Sequence, residues 1–171
     1  MTCFECGGKM RTRRENYRYE ASGLPVTLKH VEVSRCEACG EIEVAIPAID
    51  MLHRVMAGAL IRKRQRLAPA EIRFLRKYLG WSGADFAQHM GTTAETVSRW
   101  ENGRKPMGPV ADRLLRLMVA KRAPVSDYTV DVLAQIAADD KHAARPVRLG
   151  LIRDEEGWHY TRDNGAELVP A

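Results

Sequence analysis

The apolar positions of this chain change period along its length. Met10 to Tyr19 and Val26 to Val33 read as strands, with Ala21-Ser22-Gly23-Leu24-Pro25 as the turn between them, and Glu41 to Ile46 alternates as a third strand. After Pro47 the period becomes helical. Ile49, Leu52, Val55 or Met56, Ala59 and Leu60 make one apolar stripe across a helix over Ala48 to Arg66. Pro69 then starts a helix over Ala70 to Leu79. A short helix follows from Ser82 to about Met90, with Ser82 as N-cap and Asp85 as its capping-box partner. Gly91 supplies the left-handed backbone of a sharp bend. The next helix starts after Thr92 or Thr93 and ends before Gly103. Phe86, Ala87, Met90, Val97 and Trp100 fall on the facing inner sides of this pair. A further helix over Pro109 to Arg122 places Val110, Leu114, Leu115, Leu117 and Met118 inward. In the tail, Asp127 to Ala138 reads as a helix, and Val147 to Arg153 with Trp158 to Arg162 as a hairpin.

The pattern predicts an α+β multidomain chain. Residues 1–47 form a small β domain, 48–69 a linker helix, 70–123 an all-α domain and 124–171 a C-terminal extension of helix and β-hairpin. The linker stripe packs on the next domain or on a second subunit. The extension packs on the dimer or the helical domain, or else it holds a basic partner.

Charge sharpens this division. Net charge is +5 over 171 residues, but it is unevenly placed: zero over residues 1–47, +4 over 48–69, +5 over 70–123 and −4 over 124–171. The all-α block and its linker therefore carry the positive charge. On the second short helix the outward residues Ala94, Glu95, Thr96, Ser98 and Arg99 make a small polar face able to enter a DNA major groove. A basic block beside such a helix is the footprint of a phosphate-binding surface. No run approaches the length of a membrane span and no signal peptide opens the chain, so a cytoplasmic protein is expected.

The four cysteines form two C-x2-C pairs, Cys3/Cys6 and Cys36/Cys39, each followed by glycine. Such a pair turns back on itself and aims both sulfurs at one point. Two of them supply tetrahedral S4 coordination, which suits one structural Zn2+, with no position open for water. Iron in a rubredoxin-like site uses similar knuckles, and the spacing does not separate the two metals. Disulfides conflict with a cytosolic compartment, and a thioredoxin-type redox pair needs a βαβ context that is absent. A domain under about 50 residues has little core of its own, so metal loss should unfold it. The histidines show no metal spacing. No nucleophilic triad, carboxylate pair or phosphate loop appears, so a non-enzymatic protein is expected.

The stretch FAQHMGTTAETVSRWENG resembles the helix-turn-helix of the Xre/lambda-repressor-like family. Carried over position by position, the resemblance implies base reading by Ala94, Glu95, Thr96, Ser98 and Arg99. Arg99 is the strongest candidate, since a guanidinium clasps guanine O6 and N7 together. Glu95 either accepts from cytosine N4 or closes a capping box with Thr92, and the cap is favoured because a carboxylate is repelled by phosphates. Thr92, Thr93, Asn102, Arg104 and Lys105 would hold the DNA backbone. The resemblance also implies a buried ion pair between Arg76 and Glu101. Gly83 stands where the family often has a phosphate-gripping glutamine, which puts that contact in doubt. A homodimer on a palindromic operator is the expected complex.

The order of knuckles first and VSRWENG second is similar to the MqsA/YgiT-type antitoxin family over roughly residues 1–120. That resemblance implies a type II antitoxin that represses its own operon and binds a toxin, commonly an mRNA endonuclease. A stand-alone zinc-containing regulator is the alternative. Glu95 replaces the family's asparagine on the recognition helix, so the operator should differ.

Overall fold

The computed structural model describes residues 1–122 and 145–162. The helix expected over Asp127 to Ala138 lies outside the described residues. The N-terminal strands are β1 (Met10–Arg18), β2 (Val26–Cys36) and β3 (Ile42–Val44), with a 3-10 turn over Glu20–Ser22. Among the described residues five helices follow: α1 (Ile49–Ile61), α2 (Pro69–Tyr78), α3 (Gly83–His89), α4 (Ala94–Glu101) and α5 (Pro109–Arg122). The hairpin of β4 (Leu149–Arg153) and β5 (Trp158–Arg162) is the last of the described elements. This is an α+β arrangement.

The hairpin does not stand apart. Strand order in the sheet is β1-β2-β4-β5, with β3 also on β2. One edge of β2 pairs antiparallel with β1 along most of its length. The other edge is shared: Val26–Leu28 pair in parallel with β4, and Val33–Arg35 pair antiparallel with β3. Where the partner changes, a cleft of about 590 Å³ opens, lined in part by His30, Ile46, Pro47 and Trp158. His30 there adopts φ 55°, and its N–H donates to Asn16 Oδ1 beside a register shift in β1. Parallel pairing between distant segments has no local sequence signal, so it emerges only from the tertiary structure.

Helix α1 is shorter than its apolar pattern suggested and far more deeply placed. It stops at Ile61, and every residue from Val55 to Ile61 is buried. That is burial all round, as for a helix inside a core, in place of one stripe. Ile49, expected inward, is exposed. The indole of Trp158 is buried and donates to Pro47 O just before the helix begins.

Helices α2 to α5 make a second layer continuous with the first, because one apolar cluster runs from Tyr19 and Val26 through Leu60 to Phe86, Trp100 and Leu115. Helix α5 is turned from its expected face. Val110 is 78% exposed and Leu117 partly so, while Asp112, Leu115, Arg116 and Val119 point inward. The positions Asp112, Leu115, Arg116 and Val119 are a regular i, i+3, i+4, i+7 set. Two of them are charged, and an apolar-only pattern passes over them.

Candidate metal centre and nucleic-acid interface

The two knuckles are built alike. In the first, Cys3 N–H donates to Gly8 O and Gly7 N–H to Cys3 O; in the second, Cys36 N–H donates to Glu41 O and Gly40 N–H to Cys36 O. Gly7 and Gly40 sit at φ 68° and 78°, where a side chain is strained. This duplicated turn brings the sulfurs of Cys3, Cys6, Cys36 and Cys39 within 4.8 Å of one another. Separations of 3.3, 3.5 and 3.7 Å link Cys6 to Cys39, Cys6 to Cys36 and Cys3 to Cys39. A tetrahedron with Zn–S bonds of about 2.3 Å has edges of about 3.8 Å, so the four thiols fit such an ion with little adjustment. Gly8 leaves the room: a Cβ there would come 3.1 and 3.2 Å from Cys36 and Cys6 Sγ.

The thiols also show why a cation belongs among them. Backbone N–H groups of Cys39 and Ala38 hold Cys36 down to about 6. Cys39, despite a hydrogen bond from the Glu41 backbone, is pushed up to about 12 by the neighbouring sulfurs of Cys6, Cys36 and Cys3. Four thiolates this close repel one another unless a positive ion is shared among them. The set of four cysteines close together can bind a metal ion such as zinc. Cys3, Met10 and Cys36 form a buried cluster separate from the main core.

The helix-turn-helix starts at a reciprocal cap. Ser82 Oγ accepts from Asp85 N–H, and Asp85 Oδ2 accepts from Ser82 N–H. Those bonds hold the Asp85 carboxyl below the usual carboxylate range. Gly91 at φ 61° makes the bend. Thr93 is the N-cap of α4, with its Oγ1 accepting from Thr96 N–H. The capping box between Thr92 and Glu95 is therefore not formed: the helix begins one residue later, and Thr96 takes the position that Glu95 would need. Glu95 instead accepts from Arg99, at 2.6 Å.

On the inner side, Phe86, Val97 and Trp100 are buried, and the rings of Phe86 and Trp100 meet edge to face. Arg76 on α2 grips Glu101 at the end of α4 with two prongs, Nε to Oε1 at 2.5 Å and Nη2 to Oε2 at 3.1 Å. Arg76 also donates to Trp81 O, so one guanidinium ties α2, the loop before α3 and α4 together. Outside, Ala94, Glu95, Ser98 and Arg99 are exposed, and Thr92 and Thr96 are half-buried. Thr93, Asn102, Arg104 and Lys105 are exposed at the two ends of α4. Asn102 is engaged within the protein: its Oδ1 accepts from Arg73, and its Nδ2 donates to Ser98 Oγ. Arg73, not singled out from the sequence, thereby fixes the loop after α4. Its one sequence signal is its place three residues before Arg76.

The basic run at 62–66 has a different role from the one its charge suggested. Lys63 is buried and donates to Glu71 Oε2 at 2.8 Å and to Arg145 O at 2.5 Å. Glu71 also accepts from Ala68 and Val147 N–H. Arg116, fully buried, pairs with Asp112 at 2.5 Å and donates to the carbonyls of Ile61, Lys63 and Gln65. Asp112 in turn accepts from Leu67 N–H. Lys63 and Arg116 are thus held inside the protein, each against a carboxylate of the same block, where they close the end of α1 and the strap to α2; the pairs are neutral, so the block keeps its net positive charge.

Among the described residues no helix is long and apolar enough to cross a membrane. A family model described as a helix-turn-helix domain matches residues 70–127. No curated protein and no solved structure matches the chain. The match supports a DNA-binding transcription regulator.

Proposed function

We propose that this chain is a sequence-specific transcriptional repressor that acts as a homodimer on a palindromic operator in the cytoplasm. Helix α4 enters the major groove, Arg99 takes a guanine, and Thr92, Thr93, Arg104 and Lys105 hold the flanking phosphates. Asn102, exposed at the end of α4 and braced by Arg73 and Ser98, joins them. The observation that carries this reading is the Arg76–Glu101 clasp. It sets the angle of a helix whose outer face is polar and uncovered among the described residues. A reading helix must be held rigidly to translate base edges into affinity.

The four cysteines hold one structural Zn2+ in this reading. An antitoxin role, with a small neighbouring toxin as partner, is supported by the order of a metal-knuckle module before a helix-turn-helix domain. Footprinting the full chain on its own upstream DNA, with and without the adjacent gene product, tests both parts. Protection of a symmetric site is expected, as is co-purification with the neighbour. Uniform protection without a site would end the repressor reading. Failure of every adjacent product to co-purify would leave a stand-alone regulator.

A further inference from the structure

Glu95 is an anomaly on a surface meant to approach phosphates. It is 73% exposed in the first turn of α4, and its side chain takes no part in the cap, which Thr93 and Thr96 close. Among the described residues its side chain meets only Arg99, one turn on and 52% exposed. An exposed pair of this kind adds little to folding. Its position matters more: it places an acceptor-only group directly beside the strongest base-reading candidate.

Major-groove edges are selective toward such a group. Guanine N7 and O6 and thymine O4 are acceptors and repel a carboxylate. Adenine offers N6–H beside the acceptor N7, a pattern that suits an amide, which both donates and accepts. Cytosine offers N4–H with no adjacent acceptor, and that is the edge a carboxylate fits. One helical turn is about 5.4 Å and a base step about 3.4 Å, so the two side chains reach pairs one or two apart.

We propose that Glu95 determines operator specificity: it positions Arg99 for guanine, accepts from the N4 of a cytosine one or two pairs away, and repels α4 from sites without that donor. The inference rests on α4 being the base-reading helix. It makes Glu95 a device for rejecting wrong sequences as much as for binding the right one.

Selection of the full chain against a random duplex library, then titrations at several salt concentrations, tests it with Glu95→Gln, Glu95→Ala and Arg99→Ala. Melting temperatures of all three confirm folding. Wild type should select a guanine and a cytosine at that spacing. Glu95→Gln should exchange the cytosine for adenine and keep the guanine. Glu95→Ala should keep the guanine, lose about fivefold or more of the discrimination at the cytosine, and bind random DNA more tightly. Its salt dependence should steepen by up to about 0.9 in log–log slope, as one negative charge leaves the surface. Glu95→Ala selecting the wild-type bases at every position would overturn the proposal while leaving α4 as the reader. Arg99→Ala selecting the wild-type site, or wild type selecting no site, would instead overturn the reading beneath it.

Discussion

The knuckle tip and the junction beneath the helix-turn-helix face the same difficulty and answer it differently. Each gathers groups that cannot stand together unaided. At the tip, four sulfurs lie within 4.8 Å of one another, and Cys3, Met10 and Cys36 make a buried cluster separate from the main core. Nearby Phe4 is 96% exposed. At the junction, Lys63, Glu71, Asp112 and Arg116 are buried, and they neutralise one another while closing open backbone groups. The tip is a set of thiols that can bind a metal ion, whereas the junction balances Lys63 with Glu71 and Arg116 with Asp112 inside the chain. Stability at one end is expected to follow metal binding; at the other it is a property of packing and paired charge.

Metal removal should separate the two most sharply. Structural zinc sites of four cysteines bind with roughly 10 kcal/mol or more of free energy, and that energy holds the fold around them. Chelation should collapse amide signals from residues 1–9 and 36–41 while those of α2 to α5 persist. Simultaneous loss of the helical signals would break the comparison. Next in size is the junction. Asp112→Ala leaves Arg116 buried without its carboxylate and should cost about 3–5 kcal/mol in urea unfolding. Adding Arg116→Met should recover part of that loss; a larger loss in the double variant would show that the guanidinium's carbonyl contacts dominate.

The Arg76–Glu101 clasp is slightly open, with side chains 14% and 10% exposed, so Glu101→Ala should cost less, about 2–3 kcal/mol. Operator affinity should fall further than stability alone explains, because α4 loses its fixed angle. The smallest effect is at the cap of α3. Asp85 titrates below its ordinary value because Ser82 hydrogen bonds favour the charged form. A depressed folded value means the contribution is present above the unfolded carboxylate pKa and is lost as pH falls through the lowered one. Asp85→Asn should flatten that part of the acid limb in pH-dependent melting and leave the neutral-to-basic side unchanged in shape.

Much of this was legible in the residues. Local chemistry marks the helix-turn-helix: Ser82 with Asp85, Gly91, Thr93 and Gly103 stop and start helices by rules that act over three or four residues. The C-x2-C-G repeats make their turns locally as well, and Gly8 keeps space for the sulfurs. Where reading failed, the deciding partner was far away in the chain. Arg116 carries no local signal of burial: the carbonyls that accept from it at the end of α1 lie more than fifty residues back. Lys63 counted as phosphate-facing charge until Glu71 enclosed it. Glu95 looked like a cap until α4 began one residue later.

The amino-acid order by itself determined where the turns, caps and metal knuckles fall, since each is settled by neighbours within a few bonds of the backbone. Only the tertiary structure decided that β4 lies beside β2, that α1 is central and not a tether, and that α5 turns charged residues inward. Those outcomes depend on desolvating groups from distant segments together, and no short window of residues records such a pairing.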